Sequence, residues 1–397
     1  MAEGCGALVW MGLRVAQIST TSTFIPEYYS SNEYLLCRGL AKLGHEVALF
    51  IADKPPKWQT LRNEKIEKGI KNYDGFTVHK LRAGPEVGIV PLIPSLFPTL
   101  MKMKFDIIHA HDFYHASSFY GAIASQAKRI PFVLTQHNEQ LPSKVINAFL
   151  YFMNSYTLGR YVFFHSSKII ALDTVIKAHL IAMGADESDI EIIPNGVDTR
   201  SFAPDCENLL ETKWAISPPV VLFVGRLVED KGIKYLLRAF SEVVEEIPDA
   251  KLVIVGKGPQ EKELRKLQES LGLTQVFFLG AVETKFMPNI YAGCDVFVLP
   301  SVREPFGNVV VEAMAAGKPV IGSYVGGMKD TIVHEVTGYH VQPRSSQQIS
   351  KFLTRLLEDQ SLRKRLGENA RTRALKNYDQ ELLIKRIEQI YLRSAKM

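Results

Sequence analysis

The sequence predicts an α/β protein built on two consecutive, mostly parallel sheets, and three observations support this. Short runs rich in β-branched residues alternate with longer helical patterns along the chain, which is typical of parallel α/β sheets. The length of 397 residues is sufficient for two or three domains that each bury a core of their own. The stretch 204–218 contains prolines and has mixed polarity, so we interpret it as the linker between the two sheets.

The candidate strands form two series with helical segments between them. In the first half a stripe of apolar residues with helical period ends at Gly44, a glycine placed as at the end of a helix. The strands predicted for the first series are Leu13–Thr20, Glu46–Ala52, Thr77–Leu81, Asp106–Ala110, Pro131–Thr135, Lys168–Leu172 and Ile190–Ile193. Those predicted for the second are Val220–Gly225, Lys251–Gly256, Val276–Gly280, Asp295–Pro300, Pro319–Ser323 and Gly338–Val341. Because ligands of open parallel sheets bind outside the carboxyl ends of the strands, we expect a site in a cleft between the two sheets.

Composition and charge exclude several classes of protein. Apolar residues make up 46% of the chain and charged residues 22%, with a net charge of +5, which is ordinary for a globular protein and argues against nucleic-acid binding. No apolar stretch has the length and continuity of a membrane span, so we expect a cytoplasmic protein and leave open only peripheral membrane contact. Neither a disulfide framework nor a zinc site is predicted, because the cysteines have no paired spacing: Cys5, Cys37, Cys206 and Cys294.

The segment 300–319 has the features of a phosphate-binding turn with two carboxylates. A buried strand ends at Pro300, a loop presents Glu304, and a helix that begins near Gly307 contains Glu312. The first amides of a helix have no helical partner, so those of Gly307, Asn308 and Val309 form a candidate anion site. The alternative is that both carboxylates are simply solvated.

Two cations follow the first strand of the second series. Arg226 and Lys231 come directly after Gly225, where a planar guanidinium and a flexible ammonium suit a diphosphate. A solvated basic turn is the alternative. In the first half, His109 and His111 end one predicted strand and His137 follows the next. His109 and His111 have the His-x-His spacing of a metal pair, but no third ligand is evident. Core packing is the alternative for each of the three histidines.

These residues resemble the family-four retaining glycosyltransferases, which have two Rossmann-like domains facing across a cleft, the GT-B fold. The resemblance covers nearly the whole chain. Its motifs are Gly44-His45-Glu46-Val47, Asp106–His111, Pro194-Asn195-Gly196-Val197-Asp198 with Phe202, Gly225-Arg226-Leu227 with Lys231-Gly232, Gly256-Lys257-Gly258, Glu304-x-Phe306-Gly307 with Glu312, Ala313–Gly317, and Gly326-Gly327.

The resemblance implies a role for each matched position. Arg226 and Lys231 would bind the diphosphate of the donor, Glu312 the ribose hydroxyls and Glu304 the transferred sugar. The backbone from Phe306 through Val309 would contact phosphate and sugar, and His137 would lie beside the reacting centre. The family also implies that the final helix crosses back to the first domain, which divides the chain into residues 1–203 plus 377–397 on the acceptor side and 204–376 on the donor side.

The chain departs from the family in the loop before the first long helix. Two glycines are usual there, whereas this chain has Glu27 and Tyr28. We take Glu27, Tyr28, Ser30 and His111 as acceptor-side candidates. A second departure is Lys329-Asp330, which follows Gly326-Gly327 where Pro-Glu is usual.

The expected activity is transfer of a hexosyl group, with retention, from a nucleotide-diphosphate sugar to a glycan, polyol or lipid-linked acceptor. No cofactor and no metal are predicted, because two cations and a helix start already face the leaving group and the sequence contains no Asp-x-Asp pair. The alternatives are a sugar-nucleotide epimerase or hydrolase of the same fold and a non-catalytic sugar-binding protein. A nicotinamide dehydrogenase is disfavoured because Thr20–Ser31 lacks the glycines that it requires.

Overall fold

A computed structural model of the chain describes residues 12–19, 32–53, 69–87, 90–137, 153 and 155–396. The described residues form two large α/β sheets and one short hairpin. The described helices are α1 (Asn32–Lys42), α2 (Leu96–Lys102), α3 (Ala116–Lys128), α4 (Arg160–Phe164), α5 (Thr174–Ala182), α6 (Leu209–Trp214), α7 (Ile233–Glu246), α8 (Glu261–Ser270), α9 (Met287–Ala292), α10 (Asn308–Ala315), α11 (Met328–Thr331), α12 (Ser346–Glu358), α13 (Gln360–Asn377) and α14 (Gln380–Ser394). None of them is long and apolar enough to cross a membrane.

The first sheet has eight strands, all parallel except one at the edge. Its strands, with those of the hairpin, are β1 (Arg14–Ile18), β2 (Glu46–Ala52), β3 (Gly69–Tyr73), β4 (Phe76–Leu81), β5 (Glu86–Val87), β6 (Val90–Pro91), β7 (Ile107–His111), β8 (Phe132–Gln136), β9 (Lys168–Ala171) and β10 (Ile190–Ile192). The order is β10-β9-β8-β7-β1-β2-β4-β3, and β5 pairs with β6 separately. Strand β3 pairs antiparallel with β4. The strand order reverses between β1 and β7, so a ligand crevice is expected beside His111 at the end of β7.

The second sheet is entirely parallel and has six strands. They are β11 (Val220–Val224), β12 (Lys251–Val255), β13 (Val276–Gly280), β14 (Val296–Leu299), β15 (Val320–Ser323) and β16 (Gly338–Val341). The order β13-β12-β11-β14-β15-β16 is the Rossmann order, in which ligands bind where the order reverses. That point lies between β11 and β14, the two strands that lead to Arg226 and to Glu304.

The strand predictions are confirmed in position, with ends that differ by one or two residues, and the two-sheet fold class is confirmed as well. Strand β3 and the short hairpin were not predicted. The β3 segment Gly-Ile-Lys-Asn-Tyr is largely exposed, so it lacks the continuous apolar run by which the buried parallel strands are recognised.

The predicted linker 204–218 contains helix α6 rather than an extended connection. Leu210 of this helix is fully buried and belongs to the same core as the second sheet, so the flexible part of this stretch is shorter than the sequence suggests. Whether the domains divide at 203/204 and 376/377 stays a prediction.

Helix α14 packs against the first sheet, although it follows the second sheet in the chain. Its Leu383 and Tyr391 are buried in the core that contains β1 and β2. The side chain of Gln380 also donates a hydrogen bond to the carbonyl of Leu35 in α1. The crossing of the final helix that the resemblance implied is therefore present.

Candidate active site

The loops that follow β11 and β14 are joined at the reversal point of the second sheet. The backbone N–H groups of Val302 and Arg303 both donate to the carbonyl of Asp230. Gly232 adopts a φ of +64°, and a Cβ at this position would lie 2.1 Å from the carbonyl oxygen of Pro300. Only glycine permits this close approach. The contact fixes the position of the basic turn relative to the carboxylate loop.

Lys231 and Glu304 form an ion pair across these two loops. The Lys231 ammonium donates a hydrogen bond to the Glu304 carboxylate, and the Ser301 hydroxyl donates to the same oxygen at 3.0 Å. The side chains are 16% and 7% exposed, so the pair is held largely away from water. The two predicted residues are thus brought together, and Ser301 is a partner that the sequence analysis missed.

Arg226 provides a second positive charge at the same edge. Its side chain is exposed and makes no hydrogen bond or ion pair within the described part of the chain. The backbone before it is tightly packed, because a Cβ on Gly256 would lie 1.9 Å from the carbonyl oxygen of Gly225. The guanidinium is therefore available to a ligand on a rigid support.

Helix α10 begins beside this ion pair. Gly307 precedes it with a φ of +90°, and a Cβ there would contact the side chain of Glu304 at 3.4 Å. Within the described residues, the amides of Asn308 and Val309 donate no hydrogen bond, as expected for the first turn. These amides and the helix dipole favour an anion at this point. Phe306 differs from its neighbours, because its ring is buried and packs toward Tyr378; only its backbone is suited to a ligand contact.

Glu312 lies one turn further along α10 and is hydrogen-bonded to a tyrosine. The Tyr291 hydroxyl donates to one carboxylate oxygen at 2.7 Å. Burial raises the pKa of Glu312, and the Tyr291 hydrogen bond partly opposes this shift. The second carboxylate oxygen has no hydrogen-bond partner among the described residues. Tyr291 was not predicted, because it lies on α9, 21 residues away.

On the first sheet, His137 and His111 form a stacked pair. Their ring centroids are 5.0 Å apart, and Nδ1 of His111 lies 2.7 Å from Nε2 of His137. The amide of His137 donates to the carboxylate of Asp112 at 3.0 Å. His111 is buried and lines the same cavity as His137; its role on the acceptor side stays a prediction. The other three acceptor-side candidates, Glu27, Tyr28 and Ser30, lie outside the described residues.

Glu33 is an acidic neighbour of this pair that the sequence analysis missed. Its carboxylate accepts a hydrogen bond from Ser19 at 3.0 Å. Burial acts to raise the pKa of Glu33, but His137 and His111, together with hydrogen bonds, lower it overall. Glu33 is therefore a carboxylate at neutral pH. It was missed because a glutamate in the first turn of a helix is common and has no motif around it.

The ligand atoms of Glu33, His111 and His137 all lie within 4.8 Å of one another, as in some metal sites. Two imidazole nitrogens on one tetrahedral zinc, at bonds of about 2.0–2.1 Å, are roughly 3.3 Å apart. The histidine nitrogens here are 2.7 Å apart. That separation fits a shared proton better than a shared metal, and the cluster is described below as a hydrogen-bond network.

The two sheets meet at this histidine pair. Asn32 and Asn195 line the same small cavity as His137. Both also contact Asn308 at the start of α10: Asn195 donates to its side chain at 2.9 Å, and the Asn308 amide reaches Asn32 at 3.5 Å. Hydrogen bonds between asparagine side chains therefore connect the start of α10 to the cavity that contains His137.

A second contact between the sheets involves the departure at Lys329-Asp330. The Asp330 carboxylate accepts from the amide of Thr174 at 2.7 Å and from its hydroxyl at 2.7 and 2.9 Å. Asp330 thus accepts from a backbone N–H group in the first turn of α5, a helix that packs against the first sheet. The residue that replaces the usual glutamate connects the two halves of the molecule.

We predict that this contact holds the two halves close together. Contacts between domains that are few and polar permit relative motion, so Asp330→Ala is expected to increase the radius of gyration measured by small-angle scattering. Saturating nucleotide sugar should reverse part of the increase, because the donor and acceptor groups must meet around it. Asp249→Ala, at an exposed position just before β12, is the control. An Asp330→Ala profile identical to that of the wild type would contradict the prediction.

Two family models match the chain. Residues 34–201 match the model for Glycosyltransferase Family 4, and residues 210–373 match that for Glycosyl transferases group 1. The two matches together cover every strand of both sheets except β1. The fold and the site thus define a glycosyltransferase of the GT-B type. More particularly, the chain belongs to the group 1 glycosyltransferases.

Individual relatives match this chain over most of its length and over most of their own. The chain is 28% identical over 362 residues to N-acetyl-alpha-D-glucosaminyl L-malate synthase of Bacillus anthracis, which covers 90% of this chain and 91% of that protein. It is also 28% identical to phosphatidyl-myo-inositol mannosyltransferase of Mycolicibacterium smegmatis, with 96% and 93% covered. The crystal structure of Anabaena HepE in complex with UDP has a TM-score of 0.76 at 24% identity, with 95% of this chain and 99% of that chain covered. At that identity the likeness is one of fold.

Proposed function

We propose that this glycosyltransferase moves a hexosyl group, with retention of configuration, from a nucleotide-diphosphate sugar to a hydroxyl acceptor, and that it needs no metal. The observation that supports this most directly is the convergence of Arg226, the Lys231–Glu304 pair and the start of α10 at one reversal point. Relatives whose names include a mannosyltransferase and an N-acetylglucosaminyl synthase, and solved neighbours with UDP and UDP-glucose, support a nucleotide-sugar donor.

The charges of the site suit the departure of a diphosphate. Breaking the glycosyl–phosphate bond leaves positive charge on the sugar and negative charge on the phosphate. Arg226 and the amides of Asn308 and Val309 are fixed donors for that negative charge, and such donors stabilise the transition state more than the ground state. Lys231 adds a cation whose present partner is Glu304, so a bound diphosphate would share the ammonium with this carboxylate.

The two carboxylates suit different parts of the donor. Glu304 accepts hydrogen bonds from Lys231 and Ser301 and lies at the loop where the sugar would be bound. Glu312 has one oxygen satisfied by Tyr291 and one available, which suits a ribose hydroxyl. Hydrogen bonds from ribose favour the ionised carboxylate and thus oppose the effect of burial on its pKa.

Retention is proposed on the likeness to the family and on the pairing of the carboxylates. A double-displacement route needs an unencumbered carboxylate nucleophile near the reacting carbon, whereas Glu304 is ion-paired and Glu312 is bound to a tyrosine. Acceptor attack on the face that the diphosphate leaves requires no such nucleophile. A phosphate oxygen would take the acceptor proton, and His137 would hold a hydroxyl of the sugar or the acceptor.

The proposal is tested with a panel of donors. UDP-glucose, UDP-N-acetylglucosamine and GDP-mannose are incubated with the protein and with glycan, polyol and lipid-linked acceptors, and release of nucleoside diphosphate is measured. NMR of the product gives the configuration of the new bond. Diphosphate release that depends on an acceptor, with the donor configuration kept, is the expected result. A product of inverted configuration would contradict retention, and an epimerised donor would contradict transfer.

We predict that activity with the donor identified in this way survives EDTA, because the charge of the leaving group is met by two cations and a helix start. The rate is measured before and after dialysis against the chelator, with and without added Mg²⁺ or Mn²⁺. The rate should change by less than about twofold, small against the contribution expected of one charge-stabilising group. Loss of activity that either ion restores would show that a metal is required.

A further inference from the structure

A buried chain of hydrogen bonds connects His137 to helix α14, which packs against the first sheet and lines the same cavity as His137. The Nε2 of His111 lies 3.0 Å from Oε1 of Gln17, and Nε2 of Gln17 donates to the Tyr391 hydroxyl at 2.8 Å. Gln17 and Tyr391 are fully buried, and His111 is 2% exposed. Buried polar groups keep the hydrogen-bond partners that they have. One proton of this network therefore cannot move unless the others move with it.

The position of each proton follows from the chemistry of the partners. An amide oxygen can only accept, so the proton of neutral His111 is on Nε2 and its Nδ1 must accept. Burial and, to a smaller extent, the neighbouring His137 lower the pKa of His111 to about 3, against an opposing effect of Glu33, so the ring is neutral at neutral pH. The hydrogen bond at 2.7 Å between the two rings is consequently donated by Nε2 of His137. In the neutral form of His137, the nitrogen left available is then Nδ1, as an acceptor.

The other end of the chain fixes the amide of Gln17. The Tyr391 oxygen accepts from Gln17, and its single proton is donated to Nδ1 of His109 at 2.6 Å. Nε2 of His109 then donates to the Thr135 hydroxyl at 2.7 Å. Every hydrogen bond from Thr135 to His137 thus pairs one donor with one acceptor. Rotation of the Gln17 amide by half a turn would reverse all of them together.

We propose that Gln17 and Tyr391 are positioning residues that determine, through His111, which ring nitrogen of His137 bears the proton. With the amide as it is, His137 presents an acceptor nitrogen to the hydroxyl that it holds. With the amide reversed, His137 would present a donor in its place. The effect on catalysis rests on the proposed function, whereas the position of the proton does not.

Tyr391→Phe tests this inference, because it removes the acceptor for the Gln17 amide with little change of shape. An unpaired buried N–H group is less tolerated than an unpaired carbonyl oxygen, so the amide is expected to turn and donate to His111. The proton of His137 should then move from Nε2 to Nδ1.

The measurement is the nitrogen-15 NMR spectrum of the full chain labelled at histidine, with the His137 signals identified by their absence in His137→Gln. Tyr339→Phe is the matched control, since Tyr339 is equally buried but lies on β16 in the second sheet. A wild-type His137 protonated at Nδ1, or a Tyr391→Phe spectrum with the proton still on Nε2, would overturn the inference.

The consequence for catalysis is measured with the donor that the panel identifies. A moved proton should lower kcat by roughly tenfold or more, because the hydroxyl that His137 holds loses its hydrogen-bond acceptor. Tyr339→Phe should lose much less. A moved proton with an unchanged kcat would refute the positioning role and leave the transferase assignment intact. Failure of every donor in the wild type would refute the proposed function and leave the NMR result interpretable.

Discussion

Replacement of Arg226 by alanine is expected to lower the rate of transfer by about a hundredfold or more, as removal of one charge-stabilising donor does in other enzymes. Thermal stability should be unchanged, because the guanidinium is exposed and unpaired within the described part of the chain. Steady-state rates and melting temperatures are compared with those of Arg238→Ala, a variant of an exposed arginine on α7. Near-normal turnover in Arg226→Ala would contradict the assignment of this residue to the diphosphate.

Lys231→Ala should cause a similar loss of rate but, unlike Arg226→Ala, should also reduce stability. Because Lys231 stands in a turn after a strand, at the edge of the sheet, the sequence alone predicts an exposed lysine whose removal leaves the fold unaffected. The structure corrects this expectation, because Lys231 neutralises a carboxylate that is largely buried. Leaving that carboxylate unpaired is expected to lower the free energy of unfolding by up to about 3 kcal/mol. Lys231→Ala combined with Glu304→Gln should recover most of the stability and none of the activity.

Glu304→Gln is expected to reduce kcat by roughly a hundredfold while it changes donor affinity little. The carboxylate lies where charge changes during the reaction, so its contribution should be larger in the transition state than in the bound donor. Glu312→Ala should show the opposite pattern, with donor affinity lowered about tenfold or more and kcat largely kept, because ribose is bound equally before and during transfer.

Donor affinity is measured by calorimetry and kcat by initial rates, with Glu263→Gln, at an exposed position of α8, as the control for loss of a surface carboxylate. If both variants weaken donor binding equally and leave kcat intact, the division of roles between the two carboxylates is wrong. If neither variant has an effect, neither carboxylate contacts the donor.

The positions of the donor residues could be predicted because local sequence determines them. A continuous apolar run such as Val220–Val224 indicates a buried parallel strand, and the residues that follow it must lie at the carboxyl edge of the sheet. Arg226, Glu304 and the start of α10 are therefore placed by features that lie within a few residues of them.

The remainder of the site depends on contacts between distant parts of the chain. Gln17 and Tyr391 are 374 residues apart, and no local pattern indicates that they meet. The pairing of Lys231 with Glu304 and of Tyr291 with Glu312 requires knowledge of how loops pack. A residue such as Glu33, alone in a common sequence context, becomes notable only when the histidines beside it are in place.

The return of helix α14 to the first sheet has a consequence for the order in which the protein is made. The strands of the first sheet are complete at Ile192, but Leu383, Ile390 and Tyr391 of its core are synthesised about 200 residues later. At about 5–20 residues per second, this delay is roughly 10–40 s. The second sheet and the helices that follow its strands, from Val220 to Asn377, are one continuous stretch of the chain. They are not subject to this delay. On the ribosome, the half of the protein that emerges first is thus the half whose interior is closed last, and during that interval the groove meant for α14 is open to whatever else can bind it.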